Sequence, residues 1–153
     1  KVAAEDICSM YTRLFGLKTV TFRYFNVYGE RQPTRGQYAP VIGLFKKQKD
    51  SGEPMTVVGD GLQTRDYTHV SDVVNANLLA AESDNVGNGE LINIGAGKSY
   101  SVMDLVDMIG GEHVFIPPRV GESRHTLADI SRANMLLNWY PKVTLEDWLK
   151  ENK

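Results

Sequence analysis

Along KVAAEDICSMYTRLFG, residues 1–16, apolar side chains return at Ala3, Ile7, Met10 and Leu14, and again at Ala4, Cys8, Tyr11 and Phe15. That 3.6-residue period predicts a helix closed by Gly16 as its C-terminal cap. The two stripes sweep roughly 160° at ~100° per residue, wider than the ~100° one core needs, so a second surface is expected over part of them. The period then shortens. LKTVTFRYF is a β-favouring run that arrives two residues after a helix, the αβ step of a parallel sheet. Gly29 to Gly36, with Pro33 inside, reads as loop. Tyr38 to Asp50 reads as a helix in which Val41, Ile42, Leu44 and Phe45 precede Lys46, Lys47 and Lys49, cations suited to a last turn.

MTVV and QTRDYTHV read as two short strands around the tight turn Gly59-Asp60-Gly61. Ser71 opens SDVVNANLLAAES with Asp72 in the first turn, and ELINIG is a buried strand. Ser101 caps SVMDLVDMIG, with Asp104 at the capping-box position. HVFIPP, HTLADIS, a short helix from Arg132 and the stretch Thr144–Leu149 are small elements joined by polar loops. Helix and strand alternate over the first two thirds, which predicts an α/β fold. The short hairpin and small helices predict a second lobe interleaved with it.

Composition narrows the ligands. At 153 residues the chain can build a real core, burying about 68–70% of its unfolded surface. With 24% charged residues and a net charge of −2, neither sign dominates, which argues against a nucleic-acid surface; any bound anion must be held locally. The single cysteine, Cys8, reads as a small buried hydrophobe and forms no internal disulfide. No apolar run approaches the ~18 residues of a membrane span, and no signal peptide is visible, so a cytoplasmic location is expected. Lys1 falls inside a helical pattern without an initiator Met, so the chain reads as a piece of a longer protein. His69, His113 and His125 stand apart from one another and from Cys8, so no metal site is expected.

Chemistry is expected at strand ends and in two loops. Ligands of an open parallel sheet lie beyond the carboxyl ends of its strands, where Tyr24, Phe25 and Asn26 fall: two rings able to flank a flat group and an amide able to donate to an oxyanion. Core packing and a turn are the plainer reading of the same residues. Gly59-Asp60-Gly61 with Arg65, and PPRVGE with Arg119, put two planar guanidinium forks in separate loops; converging, they would hold a diphosphate. Otherwise Arg65 pairs with Asp60 or Asp66, and Arg119 is a surface residue. Glu122 could accept from sugar hydroxyls. NIGAG, residues 93–97, follows a strand but lacks the G-x-G-x-x-G spacing of a dinucleotide loop.

RYFNVYG, GDGLQTRDYTHVSDVV, NIGAGKSYSVMDLV and PPRVGESRHTLADISRA, in this order, resemble the extended short-chain dehydrogenase/reductase family, specifically its NAD-dependent nucleotide-sugar epimerases and dehydratases. The similarity covers nearly the whole chain. RYFN looks most like the 4-epimerases of UDP-glucose or UDP-N-acetylglucosamine. GESRHTLADIS is also similar to the decarboxylase and uronate-epimerase branches.

The resemblance implies the C-terminal part of a Rossmann-type parallel sheet interleaved with a small substrate-binding lobe: residues 1–36 and 71–97 in the sheet, 37–70 and 98–153 in the lobe. KVAAED looks like the family helix that begins at the lysine of a Tyr-x-x-x-Lys pair. Lys1 would then bond the nicotinamide ribose and lower the pKa of a catalytic tyrosine four positions before it. Tyr24 and Phe25 would lie near the nicotinamide and Asn26 at the diphosphate. Arg65 and Arg119 would clamp its phosphates, Val58 would meet the base through its backbone, and Glu122 would reach the ribose. The implied reaction is oxidation at the sugar C4 by NAD and return of hydride to the other face of the 4-keto sugar. The residues 1–153 alone are expected to be inactive. A 4,6-dehydratase, a decarboxylase or a non-catalytic nucleotide-binding module are the alternatives. Homodimerisation through helix 1–16 is implied as well, so part of its apolar arc is expected to be covered by another subunit or by the rest of the protein.

Overall fold

The computed structural model describes residues 1–34, 36 and 39–152. Helix α1, Val2–Phe15, ends at Gly16, whose φ of 67° is the left-handed cap the sequence implies. Strand β1, Thr19–Tyr24, follows and pairs in parallel with β6, Asn88–Ile94, to form the Rossmann-type part of the fold. Helix α3, Val70–Glu82, supplies the crossover into β6 from the lobe and packs on the other side of the pair with α5, Ser131–Leu137. Between these faces lies one core, built on Val73, Ala76, Ile92, Ile94, Ala133 and the fully buried Trp139.

A second core carries the lobe. Helix α2, Val41–Asp50, strand β3, Met55–Val58, helix α4, Val102–Ile109, and helix α6, Leu145–Glu151, bury Ile42, Phe45, Met55, Val57, Leu105 and Trp148 together. The expected helix start at Tyr38 lies outside the described residues. Helix α4 carries the full capping box, Ser101 accepting from the Asp104 amide while Asp104 accepts from that of Ser101. Helix α3 differs at its start: His69, rather than Ser71, is the cap, and its ring accepts from the Ser71 amide.

MTVV and QTRDYTHV do not form the expected hairpin. Strand β3 pairs in parallel with β8, His113–Ile116, whereas β4, Thr64–Asp66, pairs antiparallel with β7, Ser99–Ser101, and β5, Thr68–His69, in parallel with β2, Val27–Tyr28. Gly59 and Gly61, with φ of 63° and 72°, therefore turn the chain from one sheet into another. A Cβ on Gly61 would sit 2.8 Å from Val57 and Met103, so the turn lies directly on the lobe core.

Helix α1 meets the sheet with an unexpected face. Its half-buried residues are Glu5, Cys8, Ser9 and Thr12, and Gly89 of β6 lets the helix approach so closely that an added Cβ would stand 3.1 Å from Ser9 Cα. Thr12 and Thr19 hydroxyls share a 2.6 Å hydrogen bond, and the one that accepts it donates to the Cys8 carbonyl, 3.3 Å from each. The apolar arc is turned away by roughly a third of a turn. Ile7, Leu14 and Phe15 are 52%, 67% and 69% exposed. Cys8 is thus half-buried against threonines and not part of an apolar core. No described helix is long and apolar enough to cross a membrane.

Candidate functional site

A cavity of about 400 Å³ opens between α2, the ends of β2 and β3, and the loop 117–126. Arg65 reaches it from β4 and Arg119 from the loop, with Asn26, Val58 and Glu122 on its walls. The two arginines thus come from segments more than fifty residues apart to line one space. Tyr28 and Tyr67 form its inner surface, and Pro40, Ile42 and Phe45 of the α2 region close the apolar side. One charged edge against an apolar wall suits a ligand that carries both a phosphate and a flat ring.

The neighbours of each group explain how the charges are kept available. Arg65 is nearly buried; it donates to the Thr64 carbonyl at 2.8 Å and to Glu122 Oε1 at 2.9 Å. The carboxylates beside it in sequence are engaged elsewhere. Asp60 takes a bidentate pair from Arg124 at 2.7 and 2.8 Å, whose hydrogen bonds hold its carboxyl down at about 2. Asp66 is fully buried and accepts from the amides of Ala96, Gly97 and Ala128 at 2.7, 2.9 and 3.1 Å. Arg119 is exposed and, among the described residues, pairs with no carboxylate. Loop 117–126 is fixed at its far end, where the Thr64 amide donates to the Arg124 carbonyl, the Thr126 amide donates to the Thr64 carbonyl, and His125 Nδ1 meets Thr64 Oγ1 at 3.1 Å.

The remaining sequence candidates fall in different places. Asn26 is exposed at the cavity mouth, its carbonyl accepting from the Thr68 amide. The Val58 carbonyl already accepts from Gln63 Nε2 at 3.0 Å and from the Gly61 amide. Tyr24 and Phe25 follow one another at the end of β1. Tyr24 lies beside Phe22, with ring centroids 6.0 Å apart, and donates to Asn77 Oδ1 on the α3 side. Arg23 turns to the α1 side and clasps Glu5 at 2.6 and 2.8 Å, and the Phe25 amide donates to the Ile94 carbonyl. Lys1 precedes Glu5 by one helical turn, which carries it beyond Arg23 to the carboxyl edge on that same side. The NIGAG amides that would cradle a phosphate are spent on Asp66, and a Cβ on Gly95 would lie 2.2 Å from that of Ala128. Tyr67 was not singled out by sequence, although its i, i+2 spacing from Arg65 put it on the same side of the strand.

Known proteins share this fold. The UDP-glucose 4-epimerase of Mycolicibacterium smegmatis is 37% identical over 153 residues, covering 96% of this chain and 48% of the relative. The crystal structure of UDP-glucose 4-epimerase from Thermotoga maritima with UDP-glucose superposes with a TM-score of 0.90 at 40% identity, over 98% of this chain and 49% of that one. The UDP-N-acetylglucosamine 4-epimerase from Methanobrevibacter ruminantium, in complex with UDP-N-acetylmuramic acid, gives 0.90 at 34% identity, over 98% and 49%. The chain thus spans about half the length of these proteins. A model of the NAD dependent epimerase/dehydratase family matches residues 1–95, and the chain belongs to that family.

Proposed function

We propose that the protein carrying this chain epimerises a UDP-sugar at C4 with NAD, on a glucose or N-acetylglucosamine type substrate, and that these residues supply the substrate half of the site. The observation that carries this reading is the shared cavity of Arg65 and Arg119, with Asn26, Val58 and Glu122 around it. Two guanidinium forks in a chain of net charge −2 make a local anion site, and the apolar α2 wall offers a surface for a base. Lys1, at the start of α1, would offer an ammonium donor to the ribose hydroxyls of the cofactor, and Tyr24 and Phe25, at the end of β1, would offer rings near its nicotinamide. NAD, when bound, would supply the hydride acceptor and donor for the sugar C4. The chain's own residues bind and orient. Arg65 and Arg119 hold the diphosphate, Asn26 donates to it, Glu122 accepts from the ribose, and Lys1 keeps a positive charge beside the reacting end. Residues 1–153 alone, which contain no loop fitted to the adenine end, neither hold NAD against the entropy of association nor turn over substrate. The exposed arc of α1 is the proposed homodimer contact.

Calorimetric titration of the full-length protein with UDP tests this. Arg65→Ala and Arg119→Ala should each weaken binding by about 1.5–3 kcal/mol, the scale of a hydrogen bond to a charged group. Unchanged affinity in both variants would remove the clamp.

A further inference from the structure

Loop 117–126 carries Arg119 and Glu122, and it rests on one turn near both of its ends. Where the loop begins, the Gly59 amide donates to the Ile116 carbonyl at 2.9 Å, and a Cβ added to Gly59 would stand 3.6 Å from that of Pro118. Towards its other end, Arg124 closes its bidentate pair on Asp60 at 2.7 and 2.8 Å, while the Arg124 carbonyl accepts from the Thr64 amide at 2.9 Å. The turn itself is firmly seated. The Leu62 amide donates to Asp60 Oδ1 at 3.0 Å, and Gly61 leaves no room for a Cβ against Val57 and Met103 of the lobe core. Arg119 and Glu122 thus lie on an arch between two supports, and a space of about 100 Å³ between arch and turn is lined by both. Arg119 pairs with no carboxylate among the described residues, so its aim comes from the backbone that carries it.

We propose that the Asp60–Arg124 pair is a clasp that positions Arg119: it holds the loop on the turn while the Arg65–Glu122 pair exchanges for ligand. This rests on the UDP-sugar reading above and adds to it two residues that touch no ligand. Of the two ion pairs on the loop, Arg65–Glu122 would open for a phosphate bound at Arg65, whereas Asp60–Arg124 stands outside that exchange. Hydrogen bonds from Arg124 above all keep the Asp60 carboxyl down at about 2, so the clasp is charged at any physiological pH. Both of its side chains are about half exposed, and a pair so placed adds little to global stability. Placed across a loop, it instead lowers the ordering cost that binding would otherwise meet.

The test is Arg124→Gln and Asp60→Asn in the full-length protein, singly and together; asparagine still offers the Leu62 amide an acceptor. Affinity for UDP and for inorganic pyrophosphate should fall roughly threefold to fivefold in each single variant, the upper range of an exposed ion pair. The double variant should lose no more than either single one, since each change opens the same clasp. In an Arg119→Ala background, Arg124→Gln should cost pyrophosphate nothing further, because the clasp acts through Arg119. Unchanged affinity in the single variants, or losses that add in the double variant, would overturn the proposal. So would a loss confined to Arg124→Gln, which would mean that a freed Asp60 captures Arg65, or a further loss in the Arg119→Ala background, which would put Arg124 on the anion itself. A wild-type protein that ignores UDP and pyrophosphate alike would instead overturn the reading of the cavity, and the clasp's role with it.

Discussion

Asp66 shows how one residue can hold a site in place without touching a ligand. Its buried carboxylate gathers three amides from two segments, the 96–97 turn and the chain at Ala128, and so pins β4 between them. Arg65 and Tyr67 stand on either side of it in sequence, and their aim depends on that anchor. Asparagine has nearly the same shape but offers one acceptor oxygen, and its amide would face an N–H. We expect Asp66→Asn to destabilise the full-length protein by about 2–3 kcal/mol, read as a shifted urea midpoint with unchanged slope. An unchanged midpoint would mean the amides find other partners. Asp72 does the same work nearby, accepting from the amides of Lys142 and Val143 while its carbonyl takes the Trp139 indole N–H at 3.0 Å.

At the scale of elements, what is local was legible and what is not local was hidden. Gly16 and the Ser101–Asp104 box announce helix ends because capping is decided within four residues. The strand pairing of MTVV and QTRDYTHV is not legible, because each run finds its partner far along the chain, Met55 opposite His113 of β8 and Arg65 opposite Tyr100 of β7. Convergence of Arg65 and Arg119 was likewise invisible to spacing and came only from the resemblance. Helix α1 is the subtlest case. Its apolar period correctly marks a helix, yet the sheet takes the polar stripe of Glu5, Ser9 and Thr12, held by hydrogen bonds and the close approach at Gly89. Periodicity reports that a face is covered and not by what. We therefore expect Leu14→Glu with Phe15→Glu, at side chains 67% and 69% exposed in this chain, to leave the full-length protein folded, with an unchanged far-ultraviolet circular dichroism spectrum. The same pair should shift it from dimer to monomer in sedimentation equilibrium. A wild-type protein that sediments as a monomer would refute the contact.

At the scale of the whole molecule, two cores share one chain that passes between them repeatedly. The sheet side draws on residues around 73–94 and returns for Ala133 to Trp139, while the lobe takes 42–57, 102–109 and 145–149. The cavity lies where the chain crosses over, at β2, β4 and the loop 117–126, so its walls belong to both bodies. Across it runs the 2.9 Å pair between Arg65 and Glu122. That carboxylate is in effect a counter-ion on a tether, and a phosphate bound as proposed would trade places with it. A ligand that also brings hydroxyls would give the displaced carboxylate a new partner; bare pyrophosphate would leave it with water. On that reading the pair would act as an entrance test that rewards a nucleotide over a free anion. Freeing the arginine with Glu122→Gln should improve pyrophosphate binding by up to roughly fivefold, the range of a partly exposed ion pair, while UDP gains less or loses. Equal gains for both ligands in parallel titrations would show that the exchange carries no selectivity.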